Sequence, residues 1–508
     1  MADYGLACAR LKRGYPRRVA IVREMRRVPG KIRLIFRGVL RRCAVYISYA
    51  AMPTFLREIR ATLALAVPII LGSVSQMLMG VIDSVMIGRV GTVPLAASAF
   101  AGSVFAFFFI VGLGLLLPVA VLVSRAHGAG RQHECGEWLR HGLAVALAAG
   151  AVAATLMALL ATQLHRLGQP PEVIAMARPF FAIIAVSIVP AFLFQVLRQY
   201  AESLGRPWLP MILMLAGVGL NVLLNWVLIY GHLGAPALGL TGAGWATLIA
   251  RGLGAIILWI WLDVDARKRA AAAGRSLAEI GWPARWRTAL DPARLREMAR
   301  LGVPAGGQLL FEVGAFSAAA LMMGWLGATA LAAHQIALSC ASMTFMFPLG
   351  LAMAASMRLS KALGEGRRDA FRPIGFGALG LSCLVMGTFA VVFAVGGRAI
   401  AAQFVHDPAV VALAARLLAV AALFQLFDGG QVVGAGLLRG LSDVKAPALI
   451  TFVAYWLIAI PGGFFFGVRG IGPVGIWAAL AVGLAFAAIF FAWRFARFTR
   501  RLPGDTQT

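Results

Sequence analysis

Three carboxylates stand inside long apolar runs of this 508-residue chain: Asp83 in MGVIDSVMIGR, Glu312 in QLLFEVGAF and Asp428 in LFQLFDGGQVVGAGLLRG. A carboxylate at the centre of a membrane helix costs about 2.5–3.5 kcal/mol on insertion scales, so such a residue calls for a use. Asp83 has company at helical spacing. Asn221 and Asn225 stand four apart, as do Ala243 and Thr247, so each pair shares a helix face. A carboxylate, two amide oxygens, a hydroxyl and a backbone carbonyl make a hard oxygen set, suited to transient binding of a small cation such as Na⁺. The same acid, partly desolvated, could carry a proton instead. A third reading is a polar cluster that only pins helices together.

The second half of the chain holds its own acids. Gln308 lies one turn before Glu312, and Gln425 and Gln431 lie three residues either side of Asp428. The spacing predicts Gln425, Asp428 and Gln431 on one helix face. With the rings of Phe311, Phe424 and Phe427, an anionic cavity here would attract cations with apolar bodies, by charge and by ring face. Arg251, near the middle of an apolar run, is expected to be a structural tie to a carboxylate or to helix-end carbonyls. His334, in LAAHQIAL, reads as a satisfied polar residue. Asp263 and Asp265 stand too close to a basic stretch to read as a metal pair.

These residues need elements to position them. The chain is 61% hydrophobic and 13% charged, where soluble domains carry about 25% charged residues. Apolar runs long enough to cross a bilayer recur twelve times, at 61–86, 94–123, 140–162, 174–197, 208–230, 240–262, 299–325, 330–357, 374–397, 409–437, 447–467 and 472–496. Strict period-2 alternation is missing, which argues against a membrane β-barrel. The net charge of +27 invites a nucleic-acid reading, but the basic residues cluster in alternate loops, around 125–131, 198–206, 267–300, 358–372 and 439–445. That is the positive-inside pattern, and it places those loops and both termini in the cytoplasm. Five cysteines show no CxxC or Cys/His spacing, so no disulfide and no structural metal are expected.

The halves repeat. Val67-Pro68 returns as Val303-Pro304, 236 positions later; Gly88 and Gly91 return as Gly324 and Gly327, and Gly128-Ala129-Gly130-Arg131 returns as Gly364-Glu365-Gly366-Arg367. In this frame Gln76 corresponds to Glu312. Six spans per half is an even number, so both halves enter from the same side. The expected fold is an all-α integral membrane protein: twelve transmembrane helices in two six-helix bundles, related by a parallel pseudo-two-fold repeat. The expected divisions are a basic leader at 1–51, an N-lobe at 52–263, a basic cytoplasmic linker at 264–298, a C-lobe at 299–498 and a cytoplasmic tail at 499–508. The leader carries 13 Lys and Arg. It reads as a lipid-attracted basic tail, a transit peptide, or, the preferred reading, the product of a start codon assigned upstream of Met52. The linker reads as an amphipathic segment at the headgroups.

Several stretches together resemble the multidrug and toxic compound extrusion (MATE) family in its bacterial NorM-like branch: VPIILGSVSQMLMGVIDSVMIGRVG, GLNVLLNWVLIYG, FEVGAF, LAAHQIAL, FMFPLG and FDGGQVVGAGLLRG. The likeness runs from about Phe55 to Phe498. It implies an N-lobe and a C-lobe enclosing a V-shaped cavity, and export of organic cations and hydrophobic drugs driven by inward H⁺ or Na⁺. It puts Asp83 on the essential acid of the N-lobe, and Asn221, Asn225, Ala243 and Thr247 on its ion-site neighbours. Glu312 and Asp428 fall on the C-lobe acids proposed for coupling. Gln76, Gln308, Phe311, Phe424, Gln425 and Gln431 are candidate cavity-lining residues. Two positions depart from the pattern: Phe424 stands where relatives with a proposed C-lobe ion site carry Tyr, and Ser339 stands where Asn often follows HQIAL.

The expected function is therefore a secondary active multidrug antiporter, not an enzyme. It would be a multi-pass protein of the bacterial inner membrane and a monomer, with lipid and small-molecule drugs as partners, no nucleic acid and no cofactor beyond the coupling ion. No Walker A sequence is present, so ATP is not its direct fuel. A lipid-linked-precursor flippase of the same superfamily would call for a more basic cavity. A membrane-embedded enzyme would call for a motif such as HExxH or GxSxG, neither of which occurs. A channel would need a repeated charged ring.

Overall fold

The computed structural model describes residues 52–164, 171–283, 286 and 288–501, and among them are twelve helices long and apolar enough to cross a membrane. In chain order they are α1 (Met52–Gly88), α2 (Thr92–Gly128), α3 (Gln132–Thr162), α4 (Pro171–Ser203), α5 (Trp208–Tyr230) and α6 (Leu240–Ala273). The second half supplies α7 (Pro292–Trp325), α8 (Ala328–Gly364), α9 (Phe371–Ala402), α10 (Pro408–Gly440), α11 (Lys445–Ile471) and α12 (Pro473–Arg501). The chain is thus an all-α, multi-pass membrane protein. The expected leader at 1–51 lies outside the described residues. The packing below is that of the unit from Glu58 onward.

Each expected span falls on one helix, but several helices run further. Hydropathy marks only the part of a helix that crosses hydrocarbon. At the basic ends, α2, α6 and α8 continue through polar turns, and α7 starts at Pro292. There the Asp291 side chain accepts from the Ala293 N–H, and Pro occupies the first helical position. Outward faces remain apolar: Leu147, Val152 and Leu159 of α3 and Val391 and Val395 of α9 are exposed. A soluble surface would not carry so much exposed aliphatic area.

The two bundles use the same contacts. In the N-lobe, α4 packs on α2, α3 and α6, and α5 packs on α6; in the C-lobe, α10 packs on α8, α9 and α12, and α11 packs on α12. Helix ends repeat too. Gly130 and Gly366 hold φ of +72° and +73°, and the N–H groups of Arg131 and Arg367 close back to the carbonyls of Ala126 and Ala362 at 3.0 Å each. This left-handed exit suits glycine and satisfies carbonyls that the helix end would otherwise orphan.

The lobes meet along α2 and α8. A Cβ on Gly128 would come within 2.1 Å of the Lys361 carbonyl oxygen, and one on Gly364 within 2.1 Å of the Arg125 carbonyl oxygen. These two contacts are one contact repeated, since Gly128 and Arg125 correspond to Gly364 and Lys361. Higher up, Gly114 of α2 abuts Gly306 of α7, and its counterpart Gly350 of α8 abuts Ile70 of α1. Small residues let helix backbones approach closely where lipid gives no hydrophobic drive to associate. At the basic ends, ion pairs also cross between lobes. The buried Glu58 carboxylate of α1 receives Arg358 of α8 and, at 3.0 Å, Arg367, while Arg125 of α2 meets Glu297 of α7 at 2.6 Å.

The stretch joining the lobes is held by the N-lobe. Trp282 is 1% exposed; its Nε1–H donates to Asp263 at 3.0 Å, and the Tyr200 hydroxyl donates to the Gly281 carbonyl at 2.6 Å. Trp259 and Trp286 pack edge-on around Trp282.

Alanine at Gly114 would place its Cβ 2.1 Å from the Gly306 Cα, whereas a Cβ on Gly306 meets nothing closer than 3.5 Å. Gly114→Ala should therefore cost about 1–3 kcal/mol by overpacking, and Gly306→Ala far less. Thermal unfolding of the two variants in detergent, compared with the unsubstituted chain, checks that asymmetry; equal melting temperatures for the two would contradict it.

Candidate functional site

In the N-lobe, α1, α5 and α6 bring their polar residues to one place. Asn225 donates from its amide nitrogen to Asp83 Oδ1 at 2.6 Å and to Asn221 Oδ1 at 3.2 Å, and Asn221 donates to Thr247 Oγ1 at 3.5 Å. Asn221, Asn225, Ala243 and Thr247 are all buried. The i, i+4 spacing on α5 stacks the two amides, and Ala243 leaves room beside them. Asn225 Oδ1 is buried with no hydrogen-bond partner. Such an atom wants a donor or a cation.

A cavity of about 210 Å³ opens beside this chain of amides, lined by Gly80, Asp83, Phe105, Ala243, Thr247 and Arg251 among others. Arg251 lies with its guanidinium 4.4 Å from the centre of the Phe105 ring and donates to Ser187 Oγ at 2.7 Å. It forms no ion pair within 4 Å, yet it lies within electrostatic range of Asp83. In place of the expected tie to a carboxylate or to helix-end carbonyls, a hydroxyl and a ring face hold it. On its other side Arg251 lines a smaller cavity of about 80 Å³ with Gln76, Met79, Phe109, Gln195 and Met214.

In the C-lobe, Glu312 and Gln308 of α7 and Gln425, Asp428 and Gln431 of α10 are all buried. Gln431 donates to Glu312 Oε1 at 3.0 Å, and Asp428 stands three residues before it on the same helix. Gln425 turns elsewhere: its amide donates to Thr344 Oγ1 of α8 at 2.5 Å. Residues three apart on a helix diverge by about 60°, enough for neighbours on different helices to claim them. The rings part as well. Phe424 is buried against Trp477, at 5.5 Å, and Phe316, at 6.1 Å, whereas Phe311 packs at a tilt against Phe452 at 5.1 Å. His334 is fully buried and accepts from Trp477 Nε1–H at 3.1 Å.

Some polar residues of the interior escaped the sequence reading. Arg198 and Glu202 form an ion pair inside α4 at 2.7 Å, both nearly inaccessible; their i, i+4 spacing was the available signal. Ser187, the partner of Arg251, and Thr344, the partner of Gln425, had none, because a lone hydroxyl in an apolar span usually bonds its own helix. Among the described residues no group of three or more His, Cys, Asp or Glu could hold a metal ion.

Comparison with known proteins places these chambers in a family. The MatE family model matches the chain twice, over residues 68–227 and 304–465, in register with the internal repeat. The chain is 37% identical over 453 residues to the probable multidrug resistance protein NorM of Pseudomonas putida, covering 88% of this chain and 96% of that one. It is 35% identical to the multidrug resistance protein PmpM of Pseudomonas aeruginosa, covering 87% and 92%. Its fold matches the crystal structure of a mutant of the Vibrio cholerae MATE transporter VcmN with a TM-score of 0.79, at 20% identity, over 88% of this chain and 98% of that chain. With one family model fitting both halves and curated relatives above 30% identity along nearly its whole length, the chain belongs to the MATE family of transporters.

Proposed function

We propose that this protein is a secondary active multidrug efflux antiporter of the bacterial inner membrane, exporting organic cations and hydrophobic drugs in exchange for protons. The observation that carries the reading is Asp83, bonded to buried amides and lining one cavity with Arg251. The acid can lose its proton there because a fixed cation shares the cavity, and it can regain one because little water reaches it. A monovalent drug cation exchanged for one proton moves no net charge, so the pH difference alone drives that exchange, at about 1.4 kcal/mol per unit. The C-lobe acids Glu312 and Asp428 would take up a second proton. That stoichiometry adds the membrane potential, about 2.3 kcal/mol per 100 mV for each net charge moved.

Na⁺ coupling is the second reading, favoured by the orphaned carbonyl oxygen of Asn225 and by the oxygens of Asp83, Asn221 and Thr247 around it. Under either reading the protein works as a monomer with both termini in the cytoplasm, as the basic loops suggest. The N-lobe (52–263) and C-lobe (299–498) would then rock about their glycine contacts, joined by the linker 264–298.

Ethidium efflux from everted vesicles, with pH and Na⁺ gradients imposed separately, tests the choice of ion. A pH gradient should drive efflux and a Na⁺ gradient alone should not; the reverse result replaces H⁺ with Na⁺. Asp83→Asn keeps the shape of the site and removes its titration, so efflux should fall to the empty-vesicle level at unchanged expression. Full efflux from that variant would remove Asp83 from coupling. Arg251→Met should leave the carboxylate without its counter-charge and make efflux respond to Na⁺; a variant as indifferent to Na⁺ as the parent would show that Arg251 does not set ion choice.

A further inference from the structure

Helix α11 departs from α-helical geometry where it packs against α7 and α12. Its first turns, Lys445–Phe452, are α-helical; the backbone then widens to π turns over Val453–Ala459 and again over Gly463–Ile471, either side of Pro461. Proline lacks an N–H and its ring blocks the carbonyl four residues back, so the ladder must shift around it. A π turn carries an extra residue and re-aims the side chains within it, and such turns gather at functional sites. Here the first π segment holds Tyr455 and Trp456. Trp456 donates its indole N–H to the Phe311 carbonyl at 3.1 Å on the outer side. Tyr455 points the other way and is 0% exposed.

The Tyr455 hydroxyl is buried with no hydrogen-bond partner. Its ring stands 6.1 Å from that of Phe316, which in turn stands 6.1 Å from that of Phe424. Positions 455 and 424 therefore share one aromatic neighbour, and 424 lies one turn before Asp428. Phe316 stands one turn after Glu312 on α7, as Phe424 stands one turn before Asp428 on α10, so the Tyr455 ring packs beside the helix turn next to Glu312. Arg439, near the end of α10, acts in turn on Glu312. The α12 face packed in this core presents Ile476, Trp477, Leu480 and Leu484, which do not titrate. A polar group this deep is costly unless bonded, and the acids are the charged groups in its surroundings.

We infer that Tyr455 is a positioning residue of the C-lobe acid chamber, its phenol donating a hydrogen bond to whichever of Glu312 and Asp428 is ionised. Helix α11 thereby supplies the hydroxyl that Phe424 of α10 does not. The inference rests on the reading of Glu312 and Asp428 as the ion-loading acids. A donor held beside a carboxylate stabilises the charged form and so sets the pH at which the chamber loads. The hydroxyl keeps its own proton in this role; only the carboxylate gains or loses one.

The test is drug efflux from proteoliposomes across a pH series, with thermal unfolding in detergent as a check on folding. Tyr455→Phe is isosteric and should melt with the parent. Its efflux should fall by about tenfold near neutral pH, the scale of a hydrogen bond to a charged group, and the alkaline limb of its pH profile should move up, because the carboxylate now holds its proton more tightly. Adding Phe424→Tyr to that variant should restore both readouts, since a phenol returns to the same chamber. Efflux and pH profile equal to the parent in Tyr455→Phe would overturn the inference. So would a loss of efflux with an unmoved pH profile, which assigns Tyr455 to packing alone. Glu312→Gln and Asp428→Asn run alongside. If both export as the parent does, the reading of the acids fails; if they lose efflux while Tyr455→Phe does not, only the role of Tyr455 fails.

Discussion

A carboxylate in hydrocarbon has to be shielded from lipid, and it holds its charge only where dipoles or a counter-charge are fixed around it. That constraint orders the interior of this protein. Asp83 is enclosed by α1, α5 and α6, with two stacked amides on one side and Arg251 across the cavity. Glu312 accepts from the Gln431 amide. Each arrangement uses amides, which donate without carrying charge, so neither Asp83 nor Glu312 is held in a direct ion pair among the described residues. A buried Arg–carboxylate contact would lock the acid in its charged form. Arg198 and Glu202 make such a contact in α4, whereas Arg251 is held off from Asp83 by Ser187 and Phe105.

The duplicated scaffold carries unduplicated chemistry. Backbone features return at a spacing of 236: the helix exits at Gly130 and Gly366, and the reciprocal contacts of Gly128 and Gly364. Side-chain chemistry does not return. The counterpart of Asp83 is Ala319, fully buried in the C-lobe core, and the counterpart of Glu312 is Gln76, which faces the small N-lobe cavity. Packing at a symmetric interface constrains both copies at once, since a Cβ at either glycine strikes its partner's backbone. The interiors of the two lobes feel no such mutual constraint and can diverge.

Hydropathy, charge asymmetry and the repeat made the twelve helices and two bundles legible before any coordinates, because each reflects a demand that lipid places on sequence directly. The acids and their i, i+4 neighbours were legible for the same reason. What could not be read was which neighbour each side chain would choose. Gln425 and Gln431 both look toward Asp428 in a helical projection, yet Gln425 turns to Thr344. Arg251 announced itself by charge, while its partners Ser187 and Phe105 are ordinary letters in apolar spans. Tyr455 was hidden twice over, as an aromatic in a membrane helix and as a residue whose direction depends on a π turn that a 3.6-residue period does not describe. The linker's Trp282 was expected at the headgroups; burial against Tyr200 and Trp259 depends on a tertiary groove, which local amphipathicity cannot report.

The distribution of contacts between the lobes bears on how the acids could drive a cycle. Ion pairs and glycine contacts gather toward the basic loops, at Glu58, Arg125, Arg358 and Gly364. Asp83 lies thirteen residues beyond Ile70 along α1, about 20 Å further up the helix. Opening the cleft on the basic side would have to part Glu58 from Arg358 and Arg367. Breaking a buried pair by separating one partner costs on the order of 3–5 kcal/mol unless water replaces it. Glu58 and Asp83 both stand on α1, and Glu297 and Glu312 both stand on α7, so each of these helices carries an interior acid and an ion-pair partner at the basic end. Under the proposed cycle, protonation of an acid and ion-pair exchange at the basic end would thus act on one and the same helix, α1 in the N-lobe and α7 in the C-lobe.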